Sequence, residues 1–201
     1  MAILAIGAHP DDIEFGCYGT LALLSHKYKI IFLILTNGEI GGNKEIRKIE
    51  AGKSARFMGA EIKFLNFSDG KLEQNGDSVR AVSDVIKRNK VDTVFSHYFY
   101  DTHQDHVASS LITLSATSTN KNIKNIFLYE SPSTKNFLPN VFYNISSVFE
   151  KKLKALSYFE SQKEKAYFDK TQIQDHFYAY SWALKRARNP YEAFILNISV
   201  R

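Results

Sequence analysis

Short blocks of Ile, Leu, Val and Phe punctuate the chain, separated by stretches in which apolar residues return every three or four positions. The blocks at Ala2–Gly7, Ile30–Leu35, Ile62–Phe67, Thr93–Ser96 and Ile126–Tyr129 lack polar alternation, which predicts strands buried on both faces of a parallel sheet. The intervening patterns, at about Gly19–His26, Lys44–Met58, Ser78–Arg88 and Asp105–Ser118, predict helices. Asp77 is a suitable N-cap for the third, and Gly59 a suitable C-terminal stop for the second. Strand–helix–strand alternation implies right-handed crossovers and an α/β, Rossmann-like three-layer fold with a mostly parallel central sheet. After about Ser131 the pattern changes, and residues 146–187 read as largely helical. No internal repeat or low-complexity linker interrupts the chain. Residues 1–201 are therefore expected to form a single domain with a more helical part from about 146.

Composition adds limits rather than a function. A chain of 201 residues can bury a large core without covalent support. One cysteine, Cys17, rules out an intrachain disulfide and fits a reducing compartment. No apolar run approaches the roughly 20 residues of a membrane span. The first residues reach two carboxylates too soon for a signal peptide, so a cytoplasmic location is expected. The formal charge of +5 comes from scattered lysines. Without a basic stripe interleaved with aromatics, no nucleic-acid partner is expected, although a phosphorylated small molecule remains compatible.

Two segments concentrate metal-capable side chains: His9-Pro10-Asp11-Asp12 after the first strand, and Asp101-Thr102-His103-Gln104-Asp105-His106 after the fourth. In open parallel sheets, sites form at the carboxyl ends of strands, where both segments are expected. A catalytic zinc takes three His or carboxylate ligands and keeps a position for water, whose pKa it lowers to about 7. A carboxylate outside the ligand set can take a proton from water, and a second histidine can stabilise an oxyanion. Two adjacent aspartates suit that division of labour. Each segment alone also fits a plain turn or helix start capped by Asp; their joint occurrence at strand ends favours the metal site.

The segments HPDDIEFGCYGTLA and DTHQDH resemble the PIG-L/LmbE-like zinc-dependent de-N-acetylases. Further similarity lies in Leu35-Thr36-Asn37-Gly38-Glu39, in Arg47, Glu50 and Ala51, in Asp69-Gly70, in Lys152, Ala155, Leu156, Ser161 and Gln162, and in Tyr191-Glu192-Ala193-Phe194. The resemblance implies a Rossmann-like fold and removal of acetyl from an N-acetylated sugar or sugar conjugate. It implies one Zn²⁺ per chain, or another divalent transition metal, held by His9, Asp12 and His106. Asp11 then corresponds to the general base and His103 to the histidine that stabilises or protonates the tetrahedral intermediate. Asp105 corresponds to the residue that orients or tunes His103, and Arg47 to a substrate contact. Self-association into a homo-oligomer is common among such relatives.

Three departures stand out. Ile13 follows the paired aspartates where Glu is frequent, with Glu14 next; Gln104 replaces the usual Pro; Phe159 occupies a position where many members have His. None removes an expected ligand. A zinc amidase or deformylase acting on another N-acyl substrate stays open, as does an inactive sugar- or nucleotide-binding module. Cys17 reads as a small buried side chain, and His97, His26 and His176 as structural or peripheral. Tyr98, Phe99 and Tyr100 fit either packing or a sugar-stacking wall, and Asn37 and Glu39 either capping or substrate binding.

Overall fold

A computed structural model describes residues 1–165 and 168–197. Seven strands form one sheet in the order β3-β2-β1-β4-β5-β7-β6. These are β1 (Ala2–Gly7), β2 (Lys29–Thr36), β3 (Glu61–Phe67), β4 (Val91–His97), β5 (Asn125–Tyr129), β6 (Val141–Asn144) and β7 (Tyr191–Asn197). The first five are parallel, whereas β7 runs antiparallel to β5 and β6 antiparallel to β7. All five expected strands occur, extended by up to two residues at an end.

Alternation along β1 divides the core. Ala2, Leu4 and Ile6 face one cluster with Val82 and Ile86 of α4 (Gly76–Arg88) and Ala108, Ile112 and Ala116 of α5 (Gln104–Ser118). Ile3 and Ala5 face the other, with Ile13 of α1 (Asp12–Gly16), Tyr18 and Leu21 of α2 (Tyr18–Leu24), Ala55 of α3 (Lys44–Met58) and Ala155 of α6 (Phe149–Leu156). Successive side chains of a strand point to opposite faces, so a strand covered by helices on both sides reads as a continuous apolar run. Phe177 and Ile173 of α7 (Lys170–Ala183) pack with Phe15 and Phe149 in a third cluster. Among the described residues, no helix is long and apolar enough to cross a membrane.

Four sequence expectations shift. Helix α3 spans Lys44–Met58 and ends at Gly59 in the left-handed conformation, as expected. Helix α4 begins earlier than expected, and Asn75 rather than Asp77 caps it, in a reciprocal capping box with Ser78. The helix expected over about Gly19–His26 is α2, which ends at Leu24, and an unforeseen helix, α1, precedes it and starts directly at Asp12. That early start brings Gly16 against β5: a Cβ there would lie 2.1 Å from Tyr129. The region read as largely helical supplies α6 and α7 but is flanked by two unforeseen strands. Strand β6 is short and only partly buried, and β7 carries a glutamate inside its apolar run.

That glutamate, Glu192, is wholly buried and pairs with the equally buried Lys152 at 2.6 Å. Its carboxylate accepts from the backbone N–H groups of Gly19 and Thr20, at the start of α2. Lys152 donates to the carbonyls of Glu14 and Phe15, at the end of α1. Anions suit helix N-termini and cations C-termini, so one ion pair closes both helix ends that follow the His9–Asp12 loop. Removing one partner of a buried pair leaves an uncompensated charge and costs about 3–5 kcal/mol. Lys152→Met is expected to lose about that much stability in urea unfolding, whereas substitution of the exposed Lys27 leaves the midpoint unchanged.

Candidate active site

From β1 the sheet grows towards β2 on one side and β4 on the other. A crevice at the carboxyl ends of strands forms where the order reverses in this way. The His9–Asp12 loop leaves β1 and the 98–103 loop leaves β4, so both expected segments border that crevice.

The first loop is tightly constrained. Asp11 has φ 113°, a left-handed conformation unusual for a residue with a Cβ. The N–H of His9 donates to Asp12 Oδ2 at 2.7 Å. Arg47, on α3, is buried and reaches across: Nη2 donates to the carbonyl of Pro10 at 2.6 Å and to Asp11 Oδ2 at 3.2 Å, and Nη1 to the carbonyl of Gly38 at 2.8 Å. Gly38 has φ 67°, and a Cβ there would sit 2.1 Å from Arg47 Nη1, so glycine is required. Burial pushes the Asp11 carboxyl up to about 6, against the opposing pull of Arg47.

Asp12 is surrounded by imidazoles. Its Oδ2 lies 3.5 Å from His9 Nδ1 and 3.0 Å from His97 Nε2, and its Oδ1 3.4 Å from His106 Nε2. Burial works against its charge, but His106 and His97 outweigh that and hold Asp12 well below the usual carboxylate range. Behind His9, Nε2 pairs with Asp69 Oδ1 at 3.0 Å and Asp105 Oδ2 at 3.3 Å. Behind His106, Nδ1 pairs with Asp101 Oδ2 at 3.3 Å, and Asp101 is itself held by the hydroxyls of Ser131, Ser133 and Thr134. A carboxylate on the rear nitrogen fixes the tautomer and aims the front lone pair, the usual support for a metal-ligating histidine. The front nitrogens, His9 Nδ1 and His106 Nε2, both face Asp12.

This donor chemistry fits a divalent transition metal. Among the described residues, ligand atoms within 4.8 Å of one another occur in three overlapping sets: His9, His103 and His106; Asp12, His97 and His106; and His9, Asp69 and Asp105. The expected trio of His9, Asp12 and His106 is linked pairwise through Asp12 and through the first set.

His103 caps α5, and its Nδ1 accepts from the N–H of Asp105 at 3.3 Å. A neutral imidazole accepting at Nδ1 carries its proton on Nε2. Burial, then His106 and His9, lower its pKa and favour that neutral form. The Asp105 carboxylate, expected to orient or tune His103, acts on that ring through its charge rather than through a hydrogen bond. It accepts from the N–H groups of Gly70 and Leu72 and supports His9 instead. The cause is geometric: as the second residue of α5, fully buried, Asp105 points back under the His9 ring.

These groups line a cavity of about 750 Å³. Asp11, Asp12, His9, His103 and His106 form its floor, Phe15, Ile40 and Phe168 its apolar wall, and Lys165 its outer cation. Arg47 borders it with Nη1 and Nη2 already engaged. The aromatics of residues 98–100 are absent from the lining: Tyr98 packs on Phe137, and Phe99 and Tyr100 are exposed. Glu39 accepts from the N–H of Asp69. Cys17 is buried and His26 exposed, while His176 lies beside Glu130. His97, read as structural or peripheral, is wholly buried against Asp12. Its place as the last residue of a parallel strand was the available signal.

Arg47→Met leaves two carbonyls and Asp11 without their donor, and is expected to cost about 3 kcal/mol in urea unfolding. An arginine that only touched substrate would leave the midpoint where it was.

Residues 4–117 match the family model described as PIG-L: GlcNAc-PI de-N-acetylase. The chain is 37% identical over 165 residues to the uncharacterized deacetylase YaiS of Escherichia coli K12, covering 77% of this chain and 88% of that protein. It is 28% identical to the diacetylchitobiose deacetylase of Thermococcus kodakarensis over 80% of this chain and 69% of that one. The solved 4-carboxy-2-hydroxymuconate hydratase GalB of Pseudomonas putida KT2440 superposes with a TM-score of 0.85 at 20% identity, over 100% of this chain and 98% of that chain. That likeness shows the fold alone. With more than half of the chain matched to the family model, and the crevice of a mostly parallel sheet carrying its paired motifs, the chain belongs to the PIG-L, GlcNAc-PI de-N-acetylase, family.

Proposed function

We propose that this protein is a zinc-dependent hydrolase that removes the N-acetyl group from an N-acetylated amino sugar or sugar conjugate. The observation that carries this reading is the placement of Asp11 and His103 on the floor of one cavity, beside the His9, Asp12 and His106 donors. His9 Nδ1, Asp12 and His106 Nε2 would hold the ion. When bound, such an ion lowers the pKa of a water molecule and polarises the acyl carbonyl.

The rest falls to side chains of this protein. Asp11, adjoining Asp12 but tied to Arg47, takes the proton from the attacking water. His103 holds a proton at Nε2, where it steadies the developing oxyanion and then supplies the leaving amine. The amide C–N bond breaks, giving a free amine and acetate. Asp69, Asp101 and Asp105 keep the two ligating rings in place. The apolar wall of Phe15, Ile40 and Phe168 suits a sugar ring face, and Lys165 suits a phosphate or carboxylate on the substrate.

The test is a panel of N-acetylglucosamine, N,N'-diacetylchitobiose, N-acetylglucosamine 1-phosphate and UDP-N-acetylglucosamine, scored for acetate and free amine. Wild-type protein is expected to release both with zinc and neither after chelation. Asp11→Asn is expected to lose about 10²-fold or more in kcat while retaining zinc. Release that survives chelation, or near-normal turnover by Asp11→Asn, contradicts the assignment. No acetate from this panel, with formate or a longer acid released from N-formyl- or N-acylglucosamines assayed beside it, points to the amidase or deformylase reading.

A further inference from the structure

His97 has no part in the reaction set out above, yet it is the most enclosed imidazole of the cluster, with no exposed surface. Its ring is stacked on His106 at 4.2 Å and 8°, and tilted against Tyr129 at 4.8 Å. Tyr129 is fixed in turn by its hydroxyl, which donates to the carbonyl of Ile6 at 2.7 Å. Packing thus sets the His97 plane parallel to that of His106.

The polar edge of the ring is one-sided. Nδ1 is buried and has no hydrogen-bond partner among the described residues, whereas Nε2 lies 3.0 Å from Asp12 Oδ2 and 3.2 Å from the backbone nitrogen of Ala8. One ring nitrogen cannot both donate and accept; with its proton on Nε2 the ring donates to Asp12 and takes no hydrogen bond from Ala8. An unpartnered buried nitrogen is costly, and an apolar ring would fill the same space without that cost. The cost persists where Nε2 meets the carboxylate of Asp12.

We propose that His97 is a positioning residue for the metal centre: its Nε2, together with the N–H of His9, holds Asp12 Oδ2 so that Oδ1 is presented beside His106 Nε2. The inference rests on the reading of Asp12 as a ligand. The terminal torsion of an aspartate is soft, and a carboxylate among three imidazoles has several near-equivalent settings. Two donors on one oxygen remove that freedom. His9 supplies one at 2.7 Å and His97 the other at 3.0 Å, while Oδ1 keeps only the 3.4 Å approach of His106. Loss of such outer support lowers metal affinity by about 10–100-fold.

The experiment compares His97→Gln, His97→Asn and His97→Phe with wild type. Zinc affinity is measured by competition with a chromogenic chelator, and stability by urea unfolding of the chelated protein. Gln places an amide near the position of Nε2 and can still donate to Asp12; Asn falls short of it, and Phe keeps only the stacking. Zinc binding is expected to weaken about 10–100-fold in His97→Asn and His97→Phe and to recover most of that loss in His97→Gln. This ranking is expected to differ from that of urea stability, in which Phe preserves the packing best. Equal zinc affinity in wild type and His97→Asn overturns the inference, as does a loss in His97→Gln equal to that in His97→Asn. Wild-type protein that takes up no zinc overturns the prior reading of Asp12 as a ligand.

Discussion

A carboxylate removed from water must be compensated, and Asp12 is compensated by three imidazoles. His9 comes from a loop, His97 from a strand end and His106 from a helix start; His9 faces Asp12 with Nδ1, the other two with Nε2. Their agreement on one side chain dictates much of the surrounding geometry. It goes with the parallel pairing of β1 and β4, the left-handed turn at Asp11, and the entry of α5 at His103. Behind His9 and His106 stand Asp69, Asp105 and Asp101, so negative and positive groups alternate outward from the centre. Such an arrangement is costly to bury unless every member is paired, which explains why backbone N–H groups and hydroxyls are spent on the outer carboxylates.

The parts remote from the crevice serve the same constraint. The Lys152–Glu192 pair sits where α1 stops and α2 starts, and it draws on α6 and β7, both from the C-terminal part. Strand β7 extends the sheet through β5, so the C-terminal part shares the scaffold that holds the His9–Asp12 loop. Arg47 makes the corresponding connection from α3, spanning Pro10, Asp11 and Gly38. Asp11 is thereby held in a conformation that costs free energy, and its partners come from distant parts of the chain.

Much of this was legible in the residues alone. Five parallel strands showed as unbroken apolar runs because helices cover both faces, and α3 declared its C-terminal end through Gly59. The paired motifs supply five side chains that line one cavity. What stayed hidden depends on tertiary pairing. Strand β7 has a glutamate in its run because Lys152 neutralises it, and no local pattern carries that information. The resemblance assigned Asp105 to His103, but the turn of α5 sends its carboxylate to His9. Asp69 and Asp101 were visible as motif residues but not as supports, since that role exists only once the rings they hold are in place. His97 lacked a motif of its own, and its importance follows from the pairing of β4 beside β1.

The most direct test of the metal centre is anomalous diffraction at the zinc edge from crystals grown with one equivalent of zinc. The account predicts one strong peak within about 2.0–2.2 Å of His9 Nδ1, an Asp12 oxygen and His106 Nε2, with Asp11 and His103 close by but outside the ligand set. A peak at the Asp69–Asp105 side of His9, or none in the crevice, would contradict it.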